Sequence, residues 1–341
     1  MTKLLIGLDI GSQTIKAVQL NREKNSVSLL SAGYIPIPKT EANPIPRSDE
    51  QPLANSINQL IHDMKVSTND TVISLPSYKV ITQVIEIPAL GEKEIESSIQ
   101  WEAEQYIPLP LSKVKIDYSL ISVDEKNGKM KIILVAAPIV LIEKYMRIVS
   151  LAGLNPVAIE TEILADCRSI SQSLPTLDNV LMLSIGATST ELAVIRKHVL
   201  FYTKSYPIGG NILTRAISEE LGLDADRAEE YKKTYGIEED QLDGKLAKVM
   251  SPFFTNIYSE IEKTTAYFKE QFPGDEINTL VVSGGTAQLR GLMLSITKNI
   301  GMNSQSSNPF INLNVNENVL ATLNKDAPVY TTAVGLALKE A

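Results

Sequence analysis

Asp9-Ile10-Gly11-Ser12-Gln13-Thr14-Ile15-Lys16 sets a carboxylate, two hydroxyls and an ammonium around one glycine, close to the start of the chain. A turn from Gly11 to Thr14 between two strands offers backbone N–H groups and hydroxyls to an anion, with no side chain barring approach. Asp9, at a strand end, is placed to hold a magnesium ion through water, and Lys16 on the returning strand to neutralise a phosphate. A plain hairpin whose glycine serves turn geometry explains the same residues. Alone, the motif leaves both readings open.

A second stretch, NVLMLSIGATSTELAVI from Asn179, repeats the arrangement. Ser184-Ile185-Gly186 aligns with Asp9-Ile10-Gly11, so the second copy carries a serine where the first has its carboxylate. Two more glycine turns follow: Gly209-Gly210-Asn211 before a helix start, and Ser283-Gly284-Gly285-Thr286 after an apolar strand. There a nucleoside or phosphate can approach the backbone closely. Four such turns in two halves point to a duplicated fold with both copies facing one ligand across a cleft.

The elements that must hold these turns follow from periodicity. Strands are predicted at 3–10, 15–20 and 27–34, then a Pro-rich loop (IPIPKTEANPIPRSDEQP), a helix at 53–64 and a strand at 71–75. Residues 80–155 read as an inserted strand–helix–strand–strand–helix module, with helices at 92–106 and 140–152. On the first of these, Ile95, Ile99, Ala103 and Tyr106 share a face, and Trp101 is off it. The second half repeats the theme with strands at 179–185, 190–196 and 199–206. Helices follow from 211, around 226–235 and at 246–272, then a strand at 279–283 and a last helix at 330–339. The expected units are 1–79, the insert 80–155, a connecting region 156–178, a second-half core of 179–210 with 275–341, and a helical insert 211–274.

The 341 residues allow two such halves, and 44% apolar with 21% charged residues is ordinary for a globular protein. A net charge of -8 argues against nucleic-acid binding, because no basic stripe is available for phosphates. One cysteine (Cys167) and two histidines (His62, His198) exclude a disulfide framework and a thiolate or histidine metal centre, and suit the cytosol. The apolar run 132–142 is broken by Pro138 and is too short to span a membrane, and Asp9 follows the first apolar residues too soon for a secretory leader.

In this order the four turns resemble the phosphate and adenosine loops of the actin, sugar-kinase and chaperone ATPase superfamily. Three further stretches are similar to the PilM family, actin-like proteins of type IV pilus assembly. They are IEIPALGEKEIESSIQWEAEQYIPLPLSKVKIDYSL (85–120), IGATSTELAVI with YPIGGNILTRAI, and the closing TTAVGLALKE. The resemblance implies an α/β, actin-like (ribonuclease H-like, duplicated) ATPase fold: two halves around a nucleotide cleft, with a small α/β insert. It implies ATP and Mg2+ held by Asp9, Gly11, Ser12, Thr14 and Lys16 in the first loop and Gly186, Ala187, Thr188 and Thr190 in the second. Gly209, Gly210 and Asn211 would lie near phosphates or ribose, and Gly284, Gly285 and Thr286 beside adenosine. Glu229 and Lys232, three apart on one helix face, match a pair that grips ribose and adenine in relatives; a solvated surface pair reads the same. The implied partners are the cytoplasmic N-terminal segment of a PilN-like bitopic membrane protein and other pilus assembly proteins. Trp101 and Tyr106 are candidates to line the groove for that segment, and core packing competes for Tyr106.

Ser184 departs from the superfamily pattern, where an aspartate helps organise the metal-bound water. Phosphoryl transfer depends on positioning and electrostatics, so the loss predicts slow hydrolysis or none. Glu160 and Glu162 are candidates to position water, against a plainer reading as polar residues at a helix start. A small-molecule kinase would need a catalytic aspartate that does not stand out. An FtsA-like membrane-tethered filament protein is the nearer rival, but the chain stops at Lys339-Glu340-Ala341 without a basic amphipathic tail. The expectation is a cytoplasmic protein, peripheral at the inner membrane through a partner and not itself inserted.

Overall fold

The computed structural model describes residues 3–24, 26–38 and 50–340, so most of the Pro-rich stretch expected to form a loop lies outside the described residues. The first half runs β1 (Lys3–Ile10), β2 (Thr14–Arg22), β3 (Val27–Pro36), α1 (Glu50–Met64), β4 (Asp70–Leu75), β5 (Ile81–Pro88) and α2 (Glu92–Glu104). It continues β6 (Val114–Asp124), β7 (Lys129–Pro138), α3 (Ile139–Leu151), β8 (Asn155–Thr161) and α4 (Glu162–Ser173). The second half runs β9 (Asn179–Ile185), β10 (Thr190–Arg196), β11 (Val199–Tyr206), α5 (Gly210–Leu221), α6 (Ala225–Tyr235) and α7 (Lys245–Gln271). It closes with β12 (Thr279–Ser283), α8 (Leu292–Ile300), β13 (Asn303–Ser306), α9 (Glu317–Leu323) and α10 (Thr331–Ala337).

Two five-stranded sheets carry the duplication, ordered β3-β2-β1-β4-β8 and β11-β10-β9-β12-β13. In each, an antiparallel meander of three strands is extended by two parallel strands reached through helical crossovers. The two hairpin turns, at Gly11 and Gly186, therefore leave the central strands, β1 and β9, each covered on both faces. That explains the near-continuous apolar runs that precede the turns.

β8, α8, β13 and α9 are absent from the sequence reading. β13, Asn-Ser-Gln-Ser, has no apolar residue and is a strand only because its backbone pairs with β12. β8 opens on Asn155-Pro156, a turn signal in isolation, and pairs with β4.

β5, α2, β6 and β7 enclose their own core around Ile85, Ile95, Ile99, Ile132 and Leu134. The helix after them, α3, packs Ile148 and Val149 on Ile57, Leu60 and Ile61 of α1 instead. Within 80–155, then, the last helix shares the core of the first sheet. Tyr106 lies past the end of α2 and is 37% exposed, and Ile107 takes the core position that the helical spacing assigned to it. Trp101 projects from the opposite side, 77% exposed.

Between the two large sheets lie α4 and α10. Ile163, Cys167 and Ile170 of α4 pack on the second sheet, and Ala333 and Val334 of α10 on the first. The helices touch where Gly335 meets Ala165, so closely that a Cβ on Gly335 would stand 1.9 Å from the Ala165 carbonyl oxygen.

Candidate functional site

The turn after β1 meets the start of α5 across the cleft, where Gln13 Nε2 donates to Asn211 Oδ1 at 2.7 Å. In the first turn Gly11 N–H donates to Thr14 O at 3.1 Å, and Ser12 is exposed. Asp9 is buried at the end of β1, where its Oδ2 accepts from Lys16 Nζ at 3.0 Å and its Oδ1 from Ser74 Oγ at 3.1 Å. The reason is register. Asp9 pairs directly with Lys16 on β2, and β4 runs parallel on the other side, with Ile73 beside Leu8 and Ser74 next. Side chains on one rung of a sheet share a face.

In the second turn Gly186 N–H donates to Ser189 O, and the start of α5 packs beneath it: Gly210 N–H to Gly186 O at 2.8 Å, Asn211 N–H to Ala187 O at 2.9 Å. A Cβ on Gly209 would stand 2.5 Å from Gly186 O, which is why glycine is required there. Ala187 and Thr188 are partly exposed. Thr190 is not. It is buried and its hydroxyl donates to Ile208 O at 2.6 Å, a tie between the turn and the Gly209 loop.

Glu229 and Lys232 are no surface pair. Lys232 is only 7% exposed, and its Nζ bonds Gly210 O at 3.1 Å, Thr214 Oγ1 at 2.8 Å and Glu229 Oε2 at 2.6 Å. Burial opposes both charges, yet the Lys232 and Thr214 hydrogen bonds keep the Glu229 carboxyl below its usual range. For Lys232 burial outweighs the carboxylate and lowers its pKa. Thr286 completes this corner, with its Oγ1 2.8 Å from where a Gly210 Cβ would lie. Beside it Gly284 takes a left-handed φ of +83° against Ile185, and a Cβ on exposed Gly285 would meet no protein atom within 4 Å. Open space therefore borders the Gly285 backbone.

The two glutamates proposed to position water separate. Glu160 is held by Arg168 at 2.6 and 2.9 Å and by Lys339 at 2.9 Å, an ion-pair network that engages both carboxylate oxygens. Glu162, at the start of α4, accepts from Ser77 N–H at 3.0 Å. Burial, then the charge of Asp9, push its carboxyl up to about 8.

Two further carboxyls went unremarked in the sequence reading. Asp166, one turn along α4, accepts from Thr332 Oγ1 at 2.7 Å and Ser283 Oγ at 3.4 Å, and the Ser184 hydroxyl also reaches it. Burial pushes it up to about 7 against those three hydroxyls. Glu191 on β10 is 3% exposed, faces Glu162 and the Ser77 hydroxyl, and has one oxygen, Oε2, without a hydrogen-bond partner. Burial and the neighbouring Glu162 and Asp166 raise it well above its ordinary value. A signal for it was present, since Glu191 follows Ser184 at the spacing by which Lys16 follows Asp9. Among the described residues no three such side chains converge closely enough to hold a metal ion directly.

The family model for the type IV pilus assembly protein PilM matches residues 7–341. The chain belongs to the PilM family. A solved PilM–PilN type IV pilus biogenesis complex matches it at TM-score 0.83 and 25% identity, over 98% of this chain and 97% of the other. The ethanolamine utilization protein EutJ from Carboxydothermus hydrogenoformans (TM-score 0.56, 15% identity) matches over 99% of this chain and 89% of its own. MreB5 of Spiroplasma citri, solved with AMPPNP, matches at TM-score 0.52 and 13% identity, over 98% and 94%. The fold is thus the actin-like one, and this PilM-family chain is an actin-like protein of type IV pilus assembly. None of its described helices is long and apolar enough to cross a membrane.

Proposed function

We propose that this protein is a nucleotide-gated adaptor of pilus assembly. It takes Mg-ATP between its halves and captures the cytoplasmic N-terminal segment of a PilN-like membrane protein, with hydrolysis slow or absent. The observation that carries the nucleotide reading is that the start of α5 joins both hairpin turns, Asn211 bonding Gln13 of the first and Ala187 of the second, beside the open space at Gly285.

The residues fit such a ligand. The backbone N–H groups and hydroxyls of Ser12, Thr14 and Thr188 would face phosphate oxygens, with Lys16 as counter-charge. Glu229 and Lys232, already paired and desolvated, offer an acceptor and a donor to the sugar and base, and Gly284–Thr286 border them without side-chain bulk. A magnesium ion would be held through its waters and would supply positive charge against the phosphates. Asp9 would hold one of these waters. Ser184 brings no charge where the superfamily pattern has a carboxylate, which supports slow turnover below about 1 per second.

For the peptide, β6 is an edge strand of the insert's sheet, and Trp101, Tyr106 and Leu120 expose apolar surface on the same module. Strand addition with apolar pockets is an established way to hold an extended segment. The protein would then lie in the cytoplasm and reach the inner membrane only through that partner, alongside other pilus proteins.

Calorimetric titration of Mg-ATP, with and without the partner peptide, tests the reading. ATP binding that tightens peptide binding is expected. Peptide bound equally well with and without ATP overturns the gating, and no ATP binding at all removes the nucleotide.

A further inference from the structure

The two central sheets can be compared rung by rung. In the first, the rung at the turn reads Lys16, Asp9, Ser74 across β2, β1 and β4. In the second, the corresponding rung reads Glu191, Ser184, Ser283 across β10, β9 and β12. The carboxylate lost from the central strand at Ser184 therefore reappears one strand across, on the same rung and the same face of the sheet.

Asp166 explains why it is not on β9. The hydroxyls of Ser184 and Ser283 both turn to the Asp166 carboxyl, which is 1% exposed. An aspartate at 184 would set two carboxylates against each other in a buried space, and like charges there are costly. Glu191 is longer and starts from the neighbouring strand, so it passes Asp166 and reaches Glu162 and Ser77 of the first half. Its Oε2 is buried without a hydrogen-bond partner, and a buried polar atom left unsatisfied is costly unless a ligand supplies a partner.

We propose that Glu191 takes over the metal-organising role that Ser184 cannot fill, acting with Glu162 as a carboxyl pair that holds the hydration shell of a nucleotide-bound magnesium ion. This rests on the nucleotide reading above. Glu162 is the nearer member, within the field of Asp9 and Lys16, and Glu191 is the positioning residue behind it. A dication at Asp9 supplies positive charge to a cluster in which Asp9 and Asp166 act on Glu162 more strongly than the Lys16 ammonium does. The pair also joins the halves, because Glu162 belongs to α4 and Glu191 to β10. Metal in place would thereby draw them together.

The test compares affinity for a fluorescent ATP analogue in excess magnesium and in EDTA, for the unaltered protein, Glu191→Gln and Glu191→Asp, with thermal melts alongside. The unaltered protein is expected to bind at least about tenfold tighter with magnesium. Glu191→Gln should bring that ratio close to one while leaving the affinity in EDTA unchanged. Glu191→Asp, a methylene shorter but still a carboxylate, should keep only part of the ratio. A ratio unchanged in Glu191→Gln overturns the proposal and leaves the nucleotide reading intact. Equal weakening in magnesium and EDTA, with a lowered melting temperature in both variants, overturns it too, because Glu191 would then be a structural carboxyl. No binding by the unaltered protein under either condition overturns the nucleotide reading and this inference together.

Discussion

Single side chains at the cleft are poised by burial. Asp166 has a carboxyl pushed up to about 7 by burial, against ~3.9 in an unfolded chain. A raised value means that the folded state holds a proton which the unfolded state has released, so stability falls as pH rises between about 4 and 7 and is level above that. Glu162, raised to about 8 for the same reason, adds to the slope. Asp166→Asn keeps an acceptor for Thr332 and Ser283 but removes the ionisation. It is expected to raise the melting temperature more at pH 8 than at pH 5, by about 1–2 °C for each kcal/mol recovered in a chain of 341 residues. Equal shifts at both values would show that the carboxyl does not titrate in this range.

At the scale of elements, what matters is how closely backbones approach. The start of α5 and the second turn exchange hydrogen bonds from Gly210 and Asn211, and Gly209 permits that contact. Gly209→Ala would force Cβ against three backbone atoms within 2.7 Å, none at the end of a flexible side chain. It should lower both stability and nucleotide affinity, by roughly 1–3 kcal/mol for the overpacking alone. Gly285→Ala is the counterpart, since its Cβ meets no protein atom within 4 Å. Its melting temperature should stay within a degree or so of the unaltered protein, while nucleotide affinity falls at least about tenfold. Unchanged affinity in Gly285→Ala would place the base elsewhere.

The whole molecule is two sheets held around a shared layer of α4 and α10. Asp166 and Glu162 stand on α4, whose apolar face packs on the second sheet, so the layer links the cleft to both halves. Gly335→Ala would put a Cβ 1.9 Å from Ala165 O and wedge the helices apart. The expected result is a loss of roughly 1–3 kcal/mol in denaturant unfolding. Nucleotide affinity should fall with it, although Gly335 lies outside the ligand turns. Affinity retained at full strength would mean that the layer does not transmit to the cleft.

The linear chain by itself determined the two hairpins and the glycine turns. Strand periodicity, turn chemistry and the spacing from Asp9 to Lys16 are local properties that a sequence displays. Lys232 shows the limit. Its helical spacing from Glu229 is legible, but its burial beneath Gly210 depends on α6 packing against α5. Glu160 and Glu162 are two residues apart and equivalent on paper, yet Arg168 and Lys339 take one while the cleft takes the other. The Asn-Ser-Gln-Ser of β13 becomes a strand only through its neighbour. Asp166 and Glu191 acquire their meaning from Ser184 and Glu162, which reach them from other elements or from the other half. Desolvation and opposition across a cleft arise from contacts between distant segments, and those exist only once both halves have folded around α4 and α10.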